Sequence, residues 1–186
     1  MNKQRCSWCD SDPLYVKYHD DEWGVPVYDD QELFEMLCLE GAQAGLSWIT
    51  VLKKRAHYRK VFHNFSIKKM ANMTDLELDG LLSDPGIIRN RLKVYGFRKN
   101  AIAYLEHFEE KGQFSEFVWS FVDGNTQLNH FKEMAELPAT TNTSDQMSKA
   151  LKKMGFTFVG STICYAFMQA AGLVNDHLKY CYKYQQ

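Results

Sequence analysis

The chain carries metal-donor side chains near both of its ends: Cys6 and His19 at one, His177 and Cys181 at the other. Four thiolate and imidazole donors complete a tetrahedral shell for zinc, and a closed shell leaves no position for a reacting water. One ion holding all four restricts the chain to folds in which about residues 1–25 meet residues 174–186. Such a metal fastens, so the chemistry has to be sought elsewhere. His177 and Cys181, four residues apart, share a face of a helix. Cys6 and His19 are spaced more loosely, and sequence alone does not pair them with the far end. Cys9 is a rival for Cys6, because Cys6-x2-Cys9 resembles a metal knuckle. Buried thiols and satisfied imidazoles are the plain alternative. A disulfide framework fits poorly, since five cysteines is an odd count and no signal peptide precedes them.

At 186 residues the chain is expected to form a single domain over 1–186, or one domain with a small second lobe. Its hydrophobic fraction of 45% supports a real core, and no apolar run is long enough to span a membrane. Free thiols and the lack of a secretory leader point to a reducing cytoplasm. A net charge of −1 does not advertise a polyanion partner, so nucleic-acid binding would need a locally basic face.

Helical patterns dominate, and a mainly α fold of short helices is expected. Asp29 and Asp30 are cap candidates ahead of Leu33, Phe34 and Leu37. Ser47 reads as the N-cap of a helix running toward Phe62. Thr74 and Glu77 form a capping box, and Thr143 with Gln146 a weaker one. Leu137–Ser144 reads as a loop, Gly155 and Gly172 as helix ends with positive φ, and Ser161 or Thr162 as a cap.

One helix junction has a chemistry of its own. Pro85 ends a helix, Gly86 permits a tight turn, and Arg89, Arg91 and Lys93 follow at the start of the next helix. Backbone N–H groups at a helix N-terminus attract phosphate, and the three cations add formal charge. The turn resembles the helix-hairpin-helix element of DNA repair enzymes, with Ile88 where the common form has a second glycine. Lys53, Lys54, Arg55, Arg59 and Lys60, and Lys149, Lys152 and Lys153, supply further basic patches, although solvated helix faces often look the same.

The most distinctive string runs from Cys38 to Trp48. Glu40 closes an otherwise apolar helix face, where an acid is costly to bury unless something uses it. Trp48 follows across a glycine-flanked turn. A flat π surface beside a carboxylate suits a cationic or amino-bearing aromatic ligand. Tyr15, Tyr18 and Trp23 add rings close to His19. The alternative is that the rings are core and Glu40 caps or pairs.

The strings YHDDEWG, CLEGAQAGLSWITVLKKR, DPGIIRNRLK, LKKMGFTFVGSTICY and AAGLVNDHLKYC resemble those of the 3-methyladenine DNA glycosylase I family, from Cys6 to Cys181 and in order. The resemblance implies a mainly α, helix-hairpin-helix fold with a zinc site joining the N- and C-terminal segments through Cys6, His19, His177 and Cys181. It puts the family's base-reading carboxylate on Glu40, the stacking indole on Trp48 and the pocket tyrosine on Tyr18, with Trp8 and Trp23 at further aromatic positions. It implies an N-glycosyl hydrolase of base-excision repair that flips 3-methyladenine out of double-stranded DNA and leaves an abasic site. Leu46, at the glycine-flanked turn, is inferred to wedge into the duplex, and Gly86, Arg89, Arg91 and Lys93 to contact its backbone. The superfamily's Schiff-base lysine slot falls on Asn90, and AIAYLEHFEEKG lacks the catalytic Asp string of other branches, which implies no strand cleavage. Free 3-methyladenine is the expected product, one structural Zn2+ the expected cofactor, and a monomer the default. Two other readings remain: a zinc hydrolase, which would need an open metal position, and a DNA-binding module without catalysis.

Overall fold

In a computed structural model that describes residues 3–9 and 11–184, ten α-helices carry the described part of the chain. The longest early one is α2, Asp30–Gln43, which starts because Asp29 Oδ1 accepts from the N–H groups of Gln31 and Glu32, both at 3.0 Å. It buries Leu33, Phe34, Leu37, Cys38, Leu39, Glu40 and Ala42. Helices α7 (Arg91–His107) and α10 (Ser161–Ala170) pack directly against it. Each fully buried Leu or Phe in this core contributes about 1.5–3 kcal/mol relative to exposure. Before α2 comes α1 (Pro13–Asp21), capped by the Asp12 side chain on Leu14 N at 3.0 Å.

The predicted helix from Ser47 to Phe62 is two helices, α3 (Trp48–Leu52) and α4 (Arg55–Val61). The first ends in a tightened turn, with Lys54 N on Val51 O at 2.9 Å, and the Lys54 side chain leaves to donate to Pro85 O. Ser47 precedes α3 but pairs its hydroxyl with Thr50 at 2.8 Å and caps no backbone N–H. After α5 (Ile67–Ala71), the Thr74–Glu77 box starts α6 (Asp75–Leu81) as expected. Beyond α8 (Gln113–Ser120), the second box lies on Thr141 and Ser144, two residues ahead of the predicted one. Ser144 supplies the reciprocal bond through its hydroxyl, 2.8 Å from Thr141 N, so α9 (Asn142–Lys153) shortens the predicted loop. Ser161 is the first residue of α10 and bonds Ser144 at 2.8 Å; Gly160 takes the cap position. Gly155 and Gly172 both have positive φ.

The two ends of the chain meet. At Gly172 (φ +75°) a Cβ would lie 2.5 Å from the backbone of Val25 and Pro26, so only glycine lets that strand of chain cross. Val27 N bonds Ala171 O at 3.1 Å and Tyr182 N bonds Gln4 O at 3.0 Å. Strands β1 (Gln127–Leu128) and β2 (Val174–Asn175) form one short parallel ladder. Buried Asp176 accepts from Tyr165 Oη (2.6 Å), Gln169 Nε2 (2.8 Å) and Asn129 Nδ2 (2.7 Å). The apolar residues form two clusters. A large one is built on α2, α7 and α10, and a smaller one holds Cys6, Tyr18, Trp23, Leu178 and Cys181. Met36 and Trp48 pack against both. No helix among the described residues is long and apolar enough to cross a membrane.

Candidate active site

Where the two clusters meet, a cavity of about 190 Å³ opens, lined by Trp8, Tyr18, Trp23, Glu40 and Trp48. All five residues expected in a base pocket are therefore brought to one place. Tyr18 and Trp48 are tilted with ring centroids 5.4 Å apart, and Trp8 meets Trp23 edge-on at 4.9 Å. Three helices supply three of the five: α1 carries Tyr18, α2 carries Glu40, and α3 begins at Trp48, while Trp8 and Trp23 lie in turns on either side of α1.

Glu40 is 3% exposed, and burial alone pushes its carboxyl up to about 8 from an ordinary 4.5. Tyr18 is raised well above the ordinary phenol, first by burial and then by the Glu40 charge. The indole Nε1 of Trp48 is buried without a hydrogen-bond partner among the described residues. A site with a costly acid, a buried phenol and an orphaned donor is built to receive something polar and flat. Sequence reasoning did not assign Tyr15, Gln43 or Gln169, which also line the cavity. Tyr15 had a signal, since it lies three residues before Tyr18 on one helix face and its ring is 5.0 Å from Trp8. Gln169 had none.

Behind the pocket, Cys6, His19 and Cys181 bring one donor atom each within 4.8 Å of one another, all buried. His177 lies beside them, its ring centroid 5.1 Å from that of His19. Its Nδ1 is 2.9 Å from Asn175 Oδ1, which leaves a buried Nε2 with no partner among the described residues. Burial lowers its pKa to about 4, so the ring is neutral. His19 Nδ1 is 2.9 Å from Asp20, which Arg5 grips with two bonds at 2.7 and 2.8 Å; His19 Nε2 faces Cys181 Sγ at 3.4 Å. Both imidazoles are thus held at Nδ1 from outside, the way metal-binding histidines are held, and His19 Nε2 faces the Cys181 thiol, while His177 is not one of the three donors drawn together. Hydrogen bonds from Cys6 and His19 hold the Cys181 thiol well below the ordinary thiol range, and the shared proton raises Cys6. Cys9, the rival for Cys6, is outside the group; its thiol faces Tyr15 O at 3.8 Å. The pocket and the donor group share walls: Trp8 is 5.2 Å from the His19 ring and Trp23 is 4.6 Å from that of His177.

The hairpin between α6 and α7 departs from expectation in its polar groups. The Gly86 N–H, expected to face phosphate, is taken by Asp84 Oδ1 at 2.7 Å in an Asx-type turn, and Ile88 N donates to Tyr58 Oη at 3.0 Å. His57 Nε2 holds the other Asp84 oxygen at 2.7 Å. Arg89 is exposed and makes no ion pair among the described residues; Arg91 is exposed but bonded to Asp79 at 2.6 Å. Lys93 corrects the expectation of a third surface cation. It is 8% exposed and turns inward, because its place on α7 next to Val94 and Phe97 faces α2. Leu46 is 41% exposed at the turn after α2, where Gly45 (φ +78°) reverses the chain.

Known proteins are similar to this chain over nearly its whole length. A sequence model described as methyladenine glycosylase matches residues 8–184. The DNA-3-methyladenine glycosylase 1 of Escherichia coli is 54% identical over 178 residues, covering 96% of this chain and 95% of that protein. A DNA-3-methyladenine glycosylase of Haemophilus influenzae is 51% identical over 177 residues, covering 95% and 96%. A crystal structure of 3-methyladenine DNA glycosylase I superposes with a TM-score of 0.95 at 53% identity, covering 97% of this chain and 100% of that one. A Tyr-to-Phe variant of another such enzyme, solved in complex with 3-methyladenine, superposes with a TM-score of 0.93 at 37% identity, covering 98% of each chain. By sequence and by fold, this chain belongs to the methyladenine glycosylase family.

Proposed function

We propose that this chain is a DNA N-glycosylase that removes 3-methyladenine from alkylated double-stranded DNA. The observation that carries the reading is a buried, unpaired carboxyl on Glu40 facing an aromatic cavity, in a chain whose relatives are named for this base. Methylation at N3 gives the purine a positive charge and weakens its bond to the sugar. Water adds to C1′ of the sugar, the N-glycosyl bond breaks, the water's spare proton is released, and the base departs neutral. The enzyme's task is therefore chiefly to extrude and hold the lesion, and extrusion costs a few kcal/mol.

The extruded base stacks on Trp48, while Glu40 and Tyr18 bond its edge and Trp8 and Trp23 close the walls. A cation over an aromatic face gains about 0.5–2 kcal/mol, too little alone for selectivity. Glu40 adds the rest of the discrimination. A cationic base offsets the cost of ionising a carboxyl raised to about 8, and a normal neutral adenine does not. Leu46 fills the gap left in the duplex, and Arg89 and Arg91 meet the backbone. Asn90, in the superfamily's lysine slot, spends its side chain on capping Lys93 N at 3.1 Å, and an amide forms no Schiff base, which supports a monofunctional enzyme.

Cys6, His19, His177 and Cys181 are proposed to hold one structural Zn2+. The fit rests on the orphaned Nε2 of His177, the low-pKa thiol of Cys181 and the external clamps on both imidazoles. When bound, the ion supplies a closed four-ligand tie between the two ends of the single proposed domain.

The test is incubation with methylated duplex DNA and identification of the liberated bases. Release of 3-methyladenine with alkali-labile abasic sites is expected, and Glu40→Gln should lower the rate strongly while duplex binding persists. Normal release by Glu40→Ala would overturn the pocket assignment.

A further inference from the structure

Lys93 stands out as a buried charge with no acid beside it. Its Nζ donates to Ala42 O at 2.8 Å and to Ala44 O at 2.6 Å, the two carbonyls at the end of α2. Those carbonyls have no partner within the helix, and an ammonium there also complements the negative end of the helix dipole. Stability alone does not call for a lysine, since burying its charge works against folding and lowers its pKa, and a methionine fills the same volume without that cost. The shape of the turn does call for one. After Ala44 (φ −43°, ψ 117°) the chain leaves the helix axis, Gly45 reverses it, and Leu46 N closes the turn on Gln43 O at 2.7 Å. Leu46 is the exposed apolar apex, and Trp48 opens the next helix immediately after it. Lys93 itself sits at the start of α7, directly after the hairpin. It therefore ties the turn to the hairpin.

We infer that Lys93 is a positioning residue, which fixes the turn over residues 43–47 so that Leu46 meets the duplex in register with the hairpin. The inference rests on the proposed insertion of Leu46 into DNA. It assigns Lys93 no contact with the base.

The test separates duplex opening from base binding. Opening is read by the fluorescence of 2-aminopurine beside an abasic-site analogue in a duplex. Pocket integrity is read by tryptophan fluorescence on titration with free 3-methyladenine. Lys93→Met should lower single-turnover release from duplex by about tenfold to a hundredfold, reduce the opening signal, and leave free-base affinity within about threefold; Lys93→Arg should restore part of the loss. A normal opening signal in Lys93→Met, with release falling only in step with base affinity, would overturn the inference. If Lys93→Met fails to fold, Lys93→Gln, which keeps one donor, is read in the same way. Leu46→Gly separates the two claims. If it abolishes opening while Lys93→Met opens normally, only the Lys93 role fails. Normal opening by Leu46→Gly alone ends the wedge reading and leaves the turn held by Lys93, and normal opening by both ends both.

Discussion

At Glu40, burial sets the protonation of the carboxyl and, through it, stability. A carboxyl raised from 4.5 to about 8 favours the protonated form in the folded state, so folding is helped below pH 4.5. That help is lost as pH rises toward 8. Glu40→Gln removes the ionisable group at nearly constant shape. We expect it to stabilise the protein by about 2–3 kcal/mol at pH 7 and to have no effect below pH 4.5, as read by thermal melts across pH. A gain over the wild type no larger at pH 7 than at pH 4 would show that the carboxyl is not held unpaired. Trp48→Ala should weaken binding of free 3-methyladenine by about tenfold to a hundredfold, the range for loss of one base–aromatic stack; titration fluorescence checks it. Glu40 and Trp48 were legible as cavity-lining residues, the one an acid on an apolar helix face and the other a ring across a glycine-flanked turn, whereas the place of Tyr18 came from the family resemblance. Lys93 was not legible. In the string RNRLK it is one cation among three, and only the register of α7 against α2 turns it inward.

Among the elements, the hairpin is held from below by α4. Asp84 closes the turn on Gly86 N and is itself fixed by His57, while Tyr58 takes Ile88 N. A Cβ on Gly86 would lie 2.2 Å from the His57 ring. Gly86→Ala should therefore push His57 off Asp84, cost about 1–2 kcal/mol and weaken duplex binding. The double variant His57→Ala with Gly86→Ala should recover part of the stability lost in Gly86→Ala, and additive losses in denaturant melts would contradict the clash. Helix starts were legible where a long acidic partner completes the box, as at Thr74 and Glu77. At α9 the reciprocal partner is Ser144, whose short side chain gives a weaker signal than the Gln146 that misled the reading. The break between α3 and α4 was not legible, because no glycine or proline marks it in residues 48–61 and it shows only as the tightened backbone bond of Lys54 N to Val51 O.

For the molecule as a whole, two independent ties join the ends: the thiol–imidazole group, and backbone bonds of Gly24 to Gln169, Val27 to Ala171 and Tyr182 to Gln4 that need no ion. Removing the proposed zinc should thus loosen the protein without unfolding it. We expect chelation to lower Tm by about 10 °C or more and to weaken free-base binding, because Trp8 and Trp23 lean on the two imidazoles, while far-UV circular dichroism keeps its helical form. Collapse of the helical signal would mean that the backbone ties are insufficient. The family resemblance, on donors placed near both termini, implied that the ends meet; the second tie was invisible, because it is made of main-chain groups and of a crossing that only Gly172 permits.

The contact of Trp23 with His177 has a temporal consequence. A ribosome makes every residue that lines the cavity before it reaches His177, so a nascent chain that stops short of Cys181 holds the whole lining but lacks the ring that backs Trp23. The wall of the cavity is among the last parts of the molecule to be braced.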